Sequence, residues 1–406
     1  MNTKQKFNQK QAETKTSDFL KNEEEIKEYD DFFEMGLKEN ILRGIHAYGW
    51  ERPSKIQSRA IVPILNKEKR DVIAQSQSGT GKTGTFLIAA LEKIEEEKEG
   101  VQVVIISHTL ELATQIKSIC EKLAKYTKIK VIECVKGKNI SESKEELSEK
   151  KAKLVVGTPG RLIDMIGRGY LNTKDTRLLI LDEADTLLSQ NFKDQSKEIV
   201  QTMNQDTQIC LLSATFPKEV IELTEEFMIR PIKILLKQEK ITLNGIKQFY
   251  VNVMRESFKF ETLCDIYKKI SINQSIIYVN TKKKSEWVKK SLEEKNFTVS
   301  IIHGNLETKE RDEIMNNFRN GKIRVLLSTN LLARGIDVQQ VSFVINYDIP
   351  NDKESYIHRI GRSGRYGRKG IAINFVTEND EWKLKELEQY YQTQIVEMPE
   401  EIESYL

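Results

Sequence analysis

From Phe32 onward the chain alternates between amphipathic stretches with charged faces and short, dense runs of aliphatic and β-branched residues. The runs lie at 71–74, 101–106, 153–156, 178–181 and 208–212, and resume at 275–279, 298–302, 324–328, 343–346 and 370–376. A short apolar run without alternation describes a strand buried on both faces. Strands of this kind separated by helices predict parallel sheets covered on both sides. Between the two series, residues 237–244 are polar and aperiodic. Residues 1–31 are rich in Lys, Glu, Asn and Gln, with few apolar anchors. The expected organisation is a mobile arm at 1–31, an α/β domain at 32–236, a linker at 237–245 and a second α/β domain at 246–406. A cleft between two such domains, facing strand C-termini, is where a ligand is expected.

Composition narrows this picture. Hydrophobic residues make up 39% of the 406, enough for real cores. Lys and Arg number 64 against 61 Asp and Glu, a net charge of +3. Nothing in that balance attracts a polyanion globally, so any such partner needs positive charge gathered locally. No run approaches the roughly 18 apolar residues that span a bilayer. The first ten residues are polar and carry no secretory pattern, so an intracellular protein without a membrane partner is expected. Cys120, Cys134, Cys210 and Cys264 are widely spaced, as are His46, His108, His303 and His358. Neither set has zinc spacing, and the cysteines read as reduced thiols.

Three stretches carry chemistry. After the run 71–74 comes Gln75-Ser76-Gln77-Ser78-Gly79-Thr80-Gly81-Lys82-Thr83, then a helical pattern. Strand, glycine loop, Lys-Thr and helix form a phosphate cradle. Lys82 is expected to reach the β- and γ-phosphates, and the Thr83 hydroxyl to ligate Mg²⁺. The strict pattern has glycine where Ser76 stands, so this is a variant. The run 178–181 leads into Asp182-Glu183-Ala184-Asp185. Carboxylates at the end of a buried parallel strand are placed to meet a metal-bound phosphate, with Asp182 toward Mg²⁺ and Glu183 toward the attacking water. Finally, 355–377 holds Arg359, Arg362, Arg365, Arg368 and Lys369 and no acid. Guanidinium groups interleaved with glycines suit an anion and the charge that develops in phosphoryl transfer.

Taken with further motifs in order, these stretches resemble the DEAD-box ATP-dependent RNA helicases, most closely the translation initiation factor 4A group with its nuclear exon-junction and ribosomal-RNA-processing relatives. The resemblance spans nearly everything after Phe32. It implies two RecA-like parallel-sheet domains in tandem, an ATP hydrolase with ATP and Mg²⁺, and local unwinding of RNA duplexes without sequence preference. It further implies ATP contacts from Phe32, Gln57, Ser78, Gly79, Thr80, Gly81, Lys82, Thr83, Gly335 and Asp337. Gln57 offers both a donor and an acceptor to the adenine edge. Catalysis would fall to Lys82, Asp182, Glu183, Arg362 and Arg365, and coupling between ATP and RNA to Asp185, Ser213, Thr215 and His358. RNA contacts carried over are Thr109, Thr158, Pro159, Gly160, Arg161, Asn280, Thr281, Gly304 and Thr329. Phosphate contact through hydroxyls, backbone N–H groups and arginine grips without reading sequence.

This chain also departs from the family pattern. The family's P-T-R-E-L-A stands here as His108-Thr109-Leu110-Glu111-Leu112-Ala113, so Leu110 removes a cation expected near RNA. A double glycine stands as Lys136-Gly137; Asn305 and Asn330 replace Asp; Asn191 replaces Gly. These departures concern the RNA grip more than the ATP chemistry. An ATP-gated RNA clamp or assembly scaffold with little unwinding is the alternative function. Protein partners from a larger RNA–protein assembly are expected, in the nucleus (nucleolus) or the cytoplasm.

Overall fold

The computed structural model describes residues 26–66, 68–76, 80–148, 152–188, 192–216, 218–235, 246–269, 274–303, 305–329, 341, 343–363, 370–399 and 402. They fall in two compact units, Met1–Leu236 and Lys237–Leu406.

The first unit is built on a parallel sheet of β1 (Val72–Gln75), β2 (Val103–Ile106), β3 (Lys130–Cys134), β4 (Ala152–Gly157), β5 (Leu178–Leu181), β6 (Gln208–Ser213) and β7 (Ile232–Leu235). Their spatial order is β3-β4-β2-β5-β6-β1-β7. All residues of β1, β2, β4, β5 and β6 are buried, as dense apolar runs require. Successive side chains point to opposite faces, so the strands feed two cores. Val103, Ile105, Leu178 and Ile180 join one with helices Glu39–Tyr48, Lys55–Ile64, Lys82–Lys93 and Leu110–Leu123. Val104, Ile106, Leu179 and Leu181 join the other with helices Pro159–Gly167, Lys193–Gln201 and Lys218–Phe227. Within the stretch read as an arm, Ile26 and Tyr29 pack partly buried on the first core. Asp31 accepts a 2.9 Å hydrogen bond from the Phe33 amide and caps a 3-10 turn at Phe32–Met35.

The second unit repeats the plan. Its parallel sheet holds β8 (Ile246–Met254), β9 (Ser275–Tyr278), β10 (Val299–Ile302), β11 (Val325–Ser328), β12 (Phe343–Asn346), β13 (Gly370–Thr377) and β14 (Val396–Glu397). The order is β10-β11-β9-β12-β13-β8-β14. Helices Lys259–Lys269 and Lys282–Glu294 cover one face and helix Thr308–Arg319 the other. The four cysteines are unpaired and buried, and burial pushes the Cys134 thiol up to about 12, which makes it inert. Among the described residues no helix is long and apolar enough to cross a membrane. The expected linker lies outside the described residues.

Candidate active site and nucleic-acid interface

Parallel pairing brings distant motifs together. β5, β6 and β1 are neighbours, with Leu181 opposite Leu211 and Cys210 opposite Val72. The segments leaving their C-terminal ends, Asp182–Asp185, Ser213–Thr215 and Ser76–Lys82, are therefore adjacent. Hydrogen bonds tie them into one unit. The Ser76 amide donates to the Ser213 carbonyl at 3.1 Å, and Gln75 Nε2 to the Ala214 carbonyl at 3.3 Å. The Ser76 and Thr80 hydroxyls bond across the phosphate loop. Thr215 Oγ1 donates to Asp185 Oδ2 at 2.8 Å, while the Asp185 amide donates to Ser213 Oγ at 3.3 Å.

The phosphate loop meets the segment around Gln57 closely. Gly81 sits at φ +103°, a left-handed conformation that glycine adopts without strain, and is the N-cap of helix Lys82–Lys93. Gly84, in the first turn of the helix, has no room for a side chain. An added Cβ would lie 2.5 Å from the Trp50 ring and 2.6 Å from Gln57 Nε2. Gln57 is buried; its Oε1 accepts from the Ser54 amide at 2.8 Å and completes a capping box on helix Lys55–Ile64. Its Nε2 lies 3.5 Å from the Gly81 carbonyl. Phe32 is fully buried in the core beside this segment, while Phe33 is exposed and stacks on His46 at 5.1 Å. Lys82 is buried and Thr83 half-buried.

The acidic segment is crowded with charge. Burial, then the neighbouring Glu183 carboxylate, raises the Asp182 carboxyl to about 7, against the pull of Lys82. Glu183 has left-handed backbone angles, φ 52° and ψ 53°, the strained kind that persists only where surroundings enforce it. One contact here escaped the sequence reading: His108 Nδ1 lies 3.5 Å from Glu183 Oε2, both side chains buried. The signal was present, since His108 is the first departure in the motif at 108–113.

In the second unit Arg362 and His358 are buried, and Arg362 Nε donates to the His358 carbonyl at 3.1 Å. Arg359, grouped in the sequence with the arginines that suit an anion, is instead fully buried and organises the region. It donates to Asn280 Oδ1 at 2.7 Å and to the Asp348 carbonyl at 2.7 Å, and stacks over Tyr278. Asp348 accepts from Lys259 at 3.0 Å, Lys284 at 2.8 Å and the Asn280 amide at 2.9 Å. Asn280 Nδ2 donates to the Ile349 carbonyl at 2.8 Å. Both ends of the Asn280 amide are thus engaged within the unit.

Within each unit the described candidate RNA residues follow strand ends. Thr109, Thr158 and Thr281 are the N-caps of helices that follow β2, β4 and β9, and Pro159 and Gly160 open the second of these helices. Thr109 Oγ1 accepts from the Leu112 amide at 3.2 Å and Thr281 Oγ1 from the Lys284 amide at 3.3 Å. Arg161 donates to the Lys138 carbonyl at 3.1 Å, and Lys136 in the same turn is exposed. Thr329 directly follows β11. Helix N-termini favour phosphate. Leu110 is 9% exposed and packs in the first core, so the departure that removes a cation adds an apolar contact. Lys282 Nζ bonds Asn305 Oδ1. Ser78, Gly79, Gly304, Gly335, Asp337 and Arg365 lie outside the described residues, as do Asn191 and Asn330.

Known proteins share this arrangement. Residues 54–223 match the DEAD/DEAH box helicase family and residues 258–367 the helicase conserved C-terminal domain. The chain is 54% identical over 370 residues to the ATP-dependent RNA helicase eIF4A of Mycosarcoma maydis, covering 91% of this chain and 89% of that protein. It is 51% identical over 373 residues to eukaryotic initiation factor 4A of Caenorhabditis elegans, covering 92% of each. Among solved structures, S. cerevisiae Dbp5 bound to RNA and ADP BeF3 superposes with a TM-score of 0.87 at 36% identity, over 93% of this chain and 97% of that one. Mss116p bound to ssRNA and AMP-PNP gives 0.84 at 26% identity, over 94% and 82%.

Proposed function

This chain belongs to the DEAD-box ATP-dependent RNA helicases, in the initiation-factor-4A-like group, and from that premise we propose how its residues divide the work. It is an ATP-hydrolysing enzyme that binds RNA. Lys82 and the N–H groups at the start of helix Lys82–Lys93 hold the β- and γ-phosphates. Gln57 faces adenine, with buried Phe32 backing that segment. Thr83 and Asp182 fit Mg²⁺. Burial, and then the Glu183 carboxylate beside it, push the Asp182 carboxyl up, a situation a divalent cation relieves. Among the described residues no cluster forms a full protein cage for a metal. That suits an ion bound by one hydroxyl, one carboxylate and the phosphates themselves. When bound, the ion neutralises charge on the β- and γ-oxygens.

Glu183 orients the attacking water and takes its proton as the water oxygen bonds to the γ-phosphorus. The bond from that phosphorus to the β–γ bridging oxygen breaks, leaving ADP and phosphate. Arg362 and Arg365 meet the charge that develops. RNA phosphates lie on the helix ends capped by Thr109, Thr158 and Thr281. ATP and RNA together close the two lobes, bend the strand and separate a short duplex; hydrolysis reopens them. Protein partners in a larger assembly set the location and the RNA.

What supports this reading most is the adjacency of Lys82, Asp182–Asp185 and Ser213–Thr215 on three neighbouring strand ends. The test is steady-state ATPase with and without single-stranded RNA, then unwinding of a short duplex. Lys82→Ala is expected to abolish hydrolysis, and Glu183→Gln to bind ATP and RNA tightly without turnover. A Glu183→Gln protein at the parental rate would remove the assignment. ATP-dependent RNA retention without unwinding by the parent would instead identify a clamp.

A further inference from the structure

We propose that His108 is a positioning residue for Glu183, fixing the rotation of the carboxylate that orients the attacking water. This rests on the reading of Glu183 given above and extends it to a residue at which this chain departs from the family motif. The placement follows from strand register. β2 and β5 are parallel with Ile106 opposite Leu181, so the second residue beyond each strand, His108 and Glu183, face each other. The Asp182 amide donates to the Ile106 carbonyl at 3.2 Å and carries this alignment past the strand end.

The loop bearing His108 is pinned on both sides. The Ser107 amide donates to the Gly157 carbonyl at 2.9 Å, Ser107 Oγ donates to the Thr109 carbonyl at 3.3 Å, and Thr109 caps the next helix. His108 Nδ1 and Glu183 Oε2 stand 3.5 Å apart, with side chains only 6% and 8% exposed. Water screens such a pair weakly. The separation is long for a hydrogen bond, and catalytic contacts of this kind tighten when substrate is bound. No charge on the imidazole is needed, because the neutral ring with its proton on Nδ1 already donates.

The need for such a donor is local. Glu183 carries a buried carboxylate directly beside that of Asp182, on a backbone in the left-handed region. Like charges so close push apart, and a donor aimed at Oε2 opposes that. The family motif has proline at this position, which offers no polar side-chain atom. The imidazole therefore gives this chain a hold on Glu183 that the motif does not supply.

The test compares two substitutions of the same shape. His108→Leu fills the space without a donor, whereas His108→Asn places an amide N–H near the position of Nδ1. ATPase is measured at saturating single-stranded RNA, alongside KM for ATP, RNA affinity by fluorescence anisotropy and thermal unfolding. His108→Leu is expected to lower kcat about tenfold, the scale of one oriented hydrogen bond, with KM and RNA affinity within about twofold of the parent. His108→Asn is expected to lose no more than about threefold. A role in packing alone would depress both variants equally, and that result overturns the proposal. So does a parental kcat in His108→Leu. Glu183→Gln run in parallel separates the two failures. If it is inactive while His108→Leu is unimpaired, only the role of His108 falls. If it hydrolyses ATP at the parental rate, the Glu183 reading falls and this one with it.

Discussion

Replacing Asp348 by asparagine should unfasten the second unit at its most charged buried point. Lys259 and Asp348 side chains are 2% and 6% exposed and 3.0 Å apart. Asp348 also holds Lys284 and the Asn280 amide. Asp348→Asn keeps the shape but leaves Lys259 buried without its main counter-charge. Breaking a buried pair from one side costs about 3–5 kcal/mol. Glu256 still reaches Lys259 at 2.8 Å and the Tyr347 ring lies 5.6 Å away, so the lower end, about 3 kcal/mol, is expected. The loss should also carry a pH signature. Burial alone would raise the Asp348 carboxyl, but Lys259, then Lys284 and the Asn280 amide, reverse this and hold it below its ordinary value. Such a group contributes fully above the unfolded carboxylate value of about 3.9, and the contribution disappears as pH falls through the folded one. The gap between parent and variant should be constant from about pH 8 to 5 and narrow below about pH 4. Hydrogen exchange of peptides carrying β9 and β12, followed through a urea series, reads the opening free energy of this region separately from the first unit. A loss below about 1 kcal/mol, or a gap that persists undiminished in acid, would refute the reasoning.

Gly84→Ala should raise KM for ATP and cost about 1–3 kcal/mol, because its Cβ would overlap the rigid Trp50 ring and the Gln57 amide; nucleotide titration and thermal unfolding check both. Asn305→Asp should pair Lys282 with a carboxylate and withdraw it from phosphate, weakening RNA binding and flattening the log–log salt slope by up to about 0.7. RNA titrations at several salt concentrations measure the slope, and an unchanged slope would exclude Lys282 from the grip.

Legibility in the sequence followed burial. Leu178–Leu181 and Phe343–Asn346 are bounded in the fold where their apolar runs are bounded in the chain, because central strands buried on both faces leave no alternation to misread. β3, β7, β8 and β14 drew no expectation. β3, β7 and β14 lie at sheet edges, where one side is partly open and Lys130, Glu133 and Lys233 interrupt the run; β8 lies inside its sheet, but polar Lys247, Gln248 and Asn252 break its apolar pattern. The phosphate loop and acidic segment were visible because phosphate chemistry demands particular residues within a few positions of a strand end. The contact of His108 with Glu183 and the web joining Arg359, Asn280, Asp348 and Lys259 were not. They depend on which strand lies beside which, and residues 259, 280, 348 and 359 carry no local pattern that records their meeting.

The strand orders also sort the candidate residues along each sheet. In the first unit RNA candidates follow β4 and β2, and nucleotide candidates follow β5, β6 and β1, without interleaving. In the second, Asn280, Thr281 and Thr329 follow the adjacent strands β9 and β11. Neighbouring strands stand about 4.8 Å apart, a distance set by the backbone and indifferent to side chains. A row of helix ends mounted on that spacing is a ruler. On the function proposed above, it would meet a repeating phosphate chain without reading the bases, and tolerance of RNA sequence would then follow from the sheet itself. The loop of β2 stands where the ruler meets the ATP site, with Thr109 on one side and His108 on the other.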